Sequence, residues 1–184
     1  MPPTVTIDLV SEFHLTDSAK AELRALLPAC FPEAGYNGRI YYKQLPHHRL
    51  ILSEDNKIIG QLGIDFRVMN LNNALVTVFG VIDLAVHPSC QGKGYGTRLM
   101  LAFEQLAKNH ANNIDFLFLV TDKPSFYERL GYKATLQKVA WLKINEGKNC
   151  GLGYEQVDDC CLMVKSIGDK LWEDGELDML GYWY

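Results

Sequence analysis

The chain has 184 residues, 48% of them hydrophobic and 22% charged, which is the composition of an ordinary globular protein and is long enough to build one real core. Its net charge of −4 argues against general nucleic-acid binding, and no apolar run approaches the roughly 20 residues of a membrane helix. The start, MPPTVTIDL, lacks the basic and apolar regions of a signal peptide, and five cysteines without metal-type spacing read as reduced thiols; a cytoplasmic protein is expected.

Thr4–Val10 alternates and reads as a first strand. Thr16 or Asp17 can cap a helix whose apolar face is Ala21, Leu23, Leu26 and Leu27, ending near Cys30. The turn-rich Phe31–Gly38 follows, and Arg39–Leu45 reads as a short second helix. His47-His48 is a surface loop, because adjacent histidines cannot easily share one metal ion. Arg49–Ser53 and Ile58–Val68 form a hairpin about a Glu54–Lys57 turn.

After the Asn70–Asn73 turn, Val76–Val86 is a β-branched run that reads as a buried strand, stopped by His87-Pro88. Gln91-Gly92-Lys93-Gly94-Tyr95-Gly96 then opens a helix with Leu99, Phe103, Leu106, Ala107 and His110 on one face. A glycine turn from strand end to helix start leaves several backbone N–H groups pointing one way, a ready site for an anion such as phosphate. The alternative is a capped helix with no ligand. A Walker A loop and a G-x-G-x-x-G fingerprint are both absent here.

Asp115–Thr121 is the next strand, followed by a short helix over Ser125–Leu130 with Gly131 as its stop. Thr135–Ile144 and Cys161–Ile167 are two more strands, and glycine-rich Asn145–Tyr154 reads as a mobile loop between them. Residues 169–184 carry Asp169, Glu173, Asp174, Glu176 and Asp178 against Lys170 alone, so the net acidity belongs to the tail. The expected architecture is mixed α/β, a largely antiparallel sheet flanked by helices, in one domain spanning residues 1–184.

Two motifs carry a resemblance. Gln91, Gly94 and Gly96 fit Q/R-x-x-G-x-G/A after a strand ending Leu-Ala-Val-His-Pro, and Phe126-Tyr127-Glu128-Arg129-Leu130-Gly131-Tyr132 fits an FYxxxGF helix about thirty residues on. In this order they resemble the acyl-CoA-binding region of the GNAT N-acyltransferase superfamily, over about residues 50–135. The tail Trp172-Glu173-Asp174-Gly175-Glu176-Leu177-Asp178 is similar to the ending of aminoglycoside 2′-N-acetyltransferases and nodulation N-acyltransferases.

The resemblance implies acetyl-CoA as co-substrate and no metal. Leu84 and Val86 would pair with pantetheine as an added strand, and the N–H near Ala85 would face the thioester oxygen. Gln91, Gly92, Lys93, Gly94, Tyr95, Gly96 and Thr97 would hold the pyrophosphate. Tyr127 is the expected general acid, with an ordinary helix aromatic as the alternative. Asp83, the one carboxylate within the apolar strand, is the expected base, with a structural ion pair as the alternative. Many members carry glutamate near that position, and the family's asparagine before the tyrosine helix is replaced by Thr121-Asp122-Lys123-Pro124.

The acceptor side would draw on Phe31, Tyr36, Tyr41 and Tyr42, with plain aromatic core as the alternative, and the acidic tail would add Glu176, Asp178 and the carboxylate of Tyr184, with an acidic edge strand or dimer contact as the alternative. The acceptor is then a small cationic amine, amino-sugar or polyamine in kind, used by a monomer or homodimer that binds neither nucleic acid nor membrane. Two other readings stay open: transfer of a longer acyl chain, and a non-catalytic acyl-CoA sensor.

Overall fold

The computed structural model describes residues 3–157 and 161–184; Cys160 lies outside the described residues. The chain divides into two compact units, Met1–Asp65 with Ile82–Gln105, and Phe66–Val81 with Leu106–Tyr184.

The first unit holds β1 (Val5–Ser11), α1 (Asp17–Cys30), β2 (His48–Glu54), the first part of β3 (Lys57–Leu71), the last part of β4 (Ala74–Val86) and most of α2 (Tyr95–Asn109). β1 lies antiparallel to β2, Val5 opposite Glu54, and β2 antiparallel to β3. The β2–β3 turn is Asp55-Asn56, both at positive φ, the primed geometry that matches strand twist in a two-residue hairpin. Thr16 caps α1, its hydroxyl accepting from the Ala19 N–H at 3.2 Å. Leu23, Leu26 and Leu27 are buried against Leu15, Tyr36, Ile40, Ile51 and Ala85.

The helix expected over Arg39–Leu45 does not form. Asn37 and Gly38 are both left-handed, at φ 49° and 77°. The Arg39 side chain takes the Tyr36 and Gly35 carbonyls, and so few residues before Pro46 cannot repay helix nucleation. α2 stops at Asn109, so His110 is exposed rather than part of the apolar face; Leu99, Phe103 and Ala107 are buried as expected.

The second unit adds β5 (Phe116–Val120), α3 (Pro124–Glu128), β6 (Lys133–Ala134), β7 (Gln137–Asn145), β8 (Lys148–Val157), β9 (Leu162–Ser166) and β10 (Gly175–Tyr182). Its strand order is β6-β9-β5-β4-β3-β10-β7-β8. β4 with β5 and β10 with β7 are parallel; β5 with β9, β6 with β9, β7 with β8 and β10 with β3 are antiparallel. The whole is a mixed α/β fold with a mostly antiparallel sheet. Met69, Val78, Phe116, Phe118, Leu162 and Leu177 are among its core residues. Trp172 packs edge-on to Phe116, ring centres 5.1 Å apart, and donates its indole N–H to Thr135 Oγ1 at 2.8 Å.

Two expectations change here. The Asn145–Tyr154 loop is mostly strand β8, joined to β7 by a tight turn at Glu146-Gly147. Its glycines partly serve packing: a Cβ on Gly153 would run into the Trp141 ring. The acidic tail is a strand in the sheet interior, hydrogen-bonded on both sides, because its alternate residues Leu177 and Met179 are buried while Glu176 and Asp178 face out.

Candidate active site

In the first unit, β4 ends at Val86 and the chain turns through a single 3-10 turn, Pro88–Cys90, into Gln91–Gly94 and then α2. The turn is braced from both ends. The Gln91 side-chain amide donates to the Val86 carbonyl at 3.0 Å, and the His87 N–H donates to the Ile59 carbonyl at 2.8 Å. Gly92 and Gly94 sit at φ 78° and 79°, where side chains are strained, and the space a Cβ would occupy is open. Both are exposed, as are Gln91 and Lys93.

The Gly94 carbonyl accepts the first helical bond, from Arg98 N–H at 3.0 Å. The N–H groups of Tyr95, Gly96 and Thr97 therefore belong to the helix's opening turn, with no carbonyl one turn back. Tyr95 is anchored through its hydroxyl to Glu54 at 2.9 Å, a bond that raises its pKa. An open, positive-φ glycine turn on a helix N-terminus fits a pyrophosphate, so the acyl-CoA expectation meets residues able to hold it.

Asp83 lies three residues before the end of the same strand and is half-buried at φ 49°, a left-handed break in the strand. The Tyr36 hydroxyl donates to its carboxylate, and the positive charges of Arg49 and Lys43 act on it. Burial raises the Asp83 pKa; the Tyr36 bond and the two cations partly offset this. Burial and the Asp83 charge also push the Tyr36 phenol up, and burial pulls the Lys43 ammonium down.

Tyr36 is itself buried, near Phe31 and Tyr42 with ring centres 6.4 Å away in each case. Tyr41 is half-buried and lies under the Arg39 guanidinium at 5.2 Å. Arg49, 1% exposed, is held by Glu12 at 2.6 and 3.2 Å, by Gln61 at 2.9 Å and by the Ile40 carbonyl at 2.8 Å. Gln61 in turn donates to the Asp83 carbonyl.

Lys43, Arg49, Gln61 and Glu12 are absent from the sequence-based site. The signal for two of them was present: Arg49 and Gln61 are single polar residues beside or inside the apolar runs Leu50-Ile51-Leu52 and Ile58–Ile64.

In the second unit, α3 begins at Pro124 and carries Tyr127, 8% exposed, its ring 4.9 Å from Phe126 and 6.0 Å from Tyr132. The helix ends in a Schellman cap. The Tyr132 N–H reaches the Tyr127 carbonyl, and the N–H of Gly131, at φ 84°, reaches Glu128. Burial, with the nearby Asp122 charge, pushes the Tyr127 phenol up to about 12, while a bond to Thr121 opposes this.

Glu176 and Asp178 line an open cleft of about 620 Å³ with Lys138, Ala140, Tyr154 and Glu155. Tyr184 is engaged in packing, its hydroxyl against Gly80 and its ring 5.5 Å from Phe118. Among the described residues, no group of three or more His, Cys, Asp or Glu is placed to hold a metal, and no helix is long and apolar enough to cross a membrane.

A search of curated protein sequences finds no match. Solved structures do resemble the fold. The GNAT N-acetyltransferase YhbS of Escherichia coli, solved with CoA, aligns over 96% of this chain and 88% of its own, at 13% identity and TM-score 0.60. A GNAT acetyltransferase of Brucella melitensis, solved with acetyl-CoA, covers 94% of each chain at 19% identity and TM-score 0.57. A GCN5-related N-acetyltransferase of Anabaena variabilis aligns with 71% of this chain at 18% identity and TM-score 0.59, but this chain spans only 32% of that protein. Residues 14–135 match the acetyltransferase (GNAT) domain family, two thirds of the length, and the chain therefore belongs to the GNAT family of acyl-CoA-dependent acyltransferases.

Proposed function

We propose that the protein is an acetyl-CoA-dependent N-acetyltransferase that acylates a small cationic amine by direct attack in a ternary complex, within one catalytic domain. The observation that carries this reading is the half-buried Asp83 carboxylate with its raised proton affinity, on the strand that leads into the glycine turn. A sensor of acyl-CoA would need the turn but not a proton acceptor.

Gly92, Lys93, Gly94, Tyr95, Gly96 and Thr97 would bind the pyrophosphate through backbone N–H groups, with Gln91 bracing the turn. Leu84 and Val86 would offer backbone groups to pantetheine, and the Ala85 N–H would polarise the carbonyl oxygen. Bound there, acetyl-CoA supplies an activated thioester. Asp83 takes the proton that makes the acceptor amine neutral, and Tyr36 holds its carboxylate in place.

Tyr127 is the proton donor toward the departing sulfur. A phenol near 12 stays protonated, yet a thiol ordinarily titrates near about 8.5, so complete transfer would be uphill by about 3.5 units. Tyr127 therefore acts chiefly as a hydrogen-bond donor to developing thiolate charge. The cationic acceptor is supported by Glu155, Glu176 and Asp178 lining the second unit's cleft. The test is a turnover screen of purified protein with acetyl-CoA across amines, reading thiol release. Acetyl-CoA binding without turnover on any amine would favour the sensor.

A further inference from the structure

Asp83 has a left-handed backbone, φ 49°, inside the 13-residue strand β4. A residue with a Cβ adopts that conformation at a cost and keeps it only where its surroundings impose it. β3 is shaped to impose it. Two of its glycines admit the carbonyls on either side of the break: a Cβ on Gly63 would stand 2.9 Å from the Ile82 carbonyl oxygen, and one on Gly60 would stand 2.8 Å from that of Ala85. Between these glycines the fully buried Gln61 donates its side-chain amide to the carbonyl of Asp83 itself.

The orientation of that amide is fixed by its other end. Gln61 Oε1 accepts from Arg49 Nη1 at 2.9 Å, and a guanidinium can only donate, so the amide nitrogen must point to Asp83. Arg49 is itself held: Nε and Nη2 reach the two Glu12 carboxylate oxygens at 2.6 and 3.2 Å, and Nη2 also reaches the Ile40 carbonyl at 2.8 Å. Glu12, Arg49, Gln61 and the Asp83 carbonyl thus form one chain of hydrogen bonds that ends on the main chain of β4. We propose that Gln61 is a positioning residue for acyl transfer: by holding the Asp83 carbonyl it keeps the strand break that aims the Asp83 carboxylate at the acceptor amine. The inference rests on Asp83 being the base. Without the Gln61 donor the Asp83 carbonyl loses its partner, and β4 relieves this by returning Asp83 to extended backbone, which turns the carboxylate away. A displacement of about 1 Å at a reacting group costs on the order of 10²-fold in rate.

Two variants separate this role from support of Arg49. Gln61→Glu still accepts from Arg49 but, ionised beside it, has no proton to give the Asp83 carbonyl; Gln61→Met loses both bonds. Each is first checked for cooperative melting. In both, backbone NMR should show the Asp83 amide–Hα coupling move from a left-handed to an extended value. With saturating acetyl-CoA and the amine that releases thiol fastest in the turnover screen, both should lower kcat at least about tenfold, while acetyl-CoA affinity and the amine KM stay within about twofold. A Gln61 that only supports Arg49 would leave Gln61→Glu near wild type. Combined with Asp83→Asn, either Gln61 change should cost less than about twofold more, because the group it aims is gone. A left-handed Asp83 in both variants, full kcat in Gln61→Glu, or losses that multiply in the double variant overturn the proposal. Undiminished kcat in Asp83→Asn alone overturns the base and the positioning role together, while acyl transfer itself stands.

Discussion

Tyr36 donates its hydroxyl proton to the carboxylate of Asp83, a residue whose backbone is left-handed in mid-strand. The pair joins the loop after α1 to the strand that runs into the glycine turn. Removing the hydroxyl removes a bond to the charged form of Asp83, so Tyr36→Phe should raise the Asp83 pKa further. The acidic limb of kcat/KM should move up in pH, and carbon NMR of labelled aspartate should show a shift in the same direction. An unmoved limb would make Tyr36 a packing residue.

Gly94→Asp should weaken acetyl-CoA binding at least tenfold in calorimetry. The substitution strains a φ of 79° and places a carboxylate beside the pyrophosphate position. Undiminished affinity in a folded variant would move the cofactor elsewhere.

Tyr127→Phe should leave acetyl-CoA affinity intact and lower kcat by about 10²-fold, the scale of losing one hydrogen-bond donor to developing charge. Because the phenol titrates near 12, the wild-type rate should show no alkaline limb from Tyr127 below about pH 11. Full turnover in the variant, with chemistry rate-limiting, would return Tyr127 to the core.

Glu12→Ala should destabilise the fold by about 3–5 kcal/mol in chemical denaturation, because it strands the buried Arg49 charge. Replacing both residues by apolar ones of similar size should recover much of the loss. A small effect of the single substitution would mean that Gln61 and the Ile40 carbonyl suffice for Arg49.

The double change Glu176→Gln with Asp178→Asn should raise KM for a polyamine by roughly tenfold and weaken its salt dependence, without altering acetyl-CoA affinity. Asp178 accepts from the Leu180 N–H at 2.9 Å, and the amide oxygen that replaces its carboxylate can accept the same bond, so the strand should survive. An unchanged KM would reduce the acidic rim to solvated surface.

Strands β1 to β5, β7 and β9, with α1, α2 and the short tyrosine helix, were legible because an apolar pattern met a stop or start signal, such as Thr16 before α1, His87-Pro88 after β4 and Gly131 after α3. The glycine turn was legible because its chemistry is local. What escaped was set by distant partners. Residues 39–45 have helical composition, but Arg39 spends its donors on Tyr36 and Gly35. Residues 148–157 look like a loop until β7 supplies the ladder and Trp141 the reason for Gly153. The surroundings of Asp83 come from Glu12, Tyr36, Lys43, Arg49 and Gln61, scattered over fifty residues, and no spacing rule joins them.

β10 lies between β3 and β7 but follows both in the chain. During synthesis, β3 and the β7–β8 hairpin therefore emerge with open edges that only residues 175–182 can close. Until then the second unit's sheet exists as two fragments, and premature pairing of either edge with another chain competes with the native insertion. A ribosome-stalled chain ending before Gly175 should be held by chaperones and cut readily by protease, and release of the last strand should convert it to the resistant form.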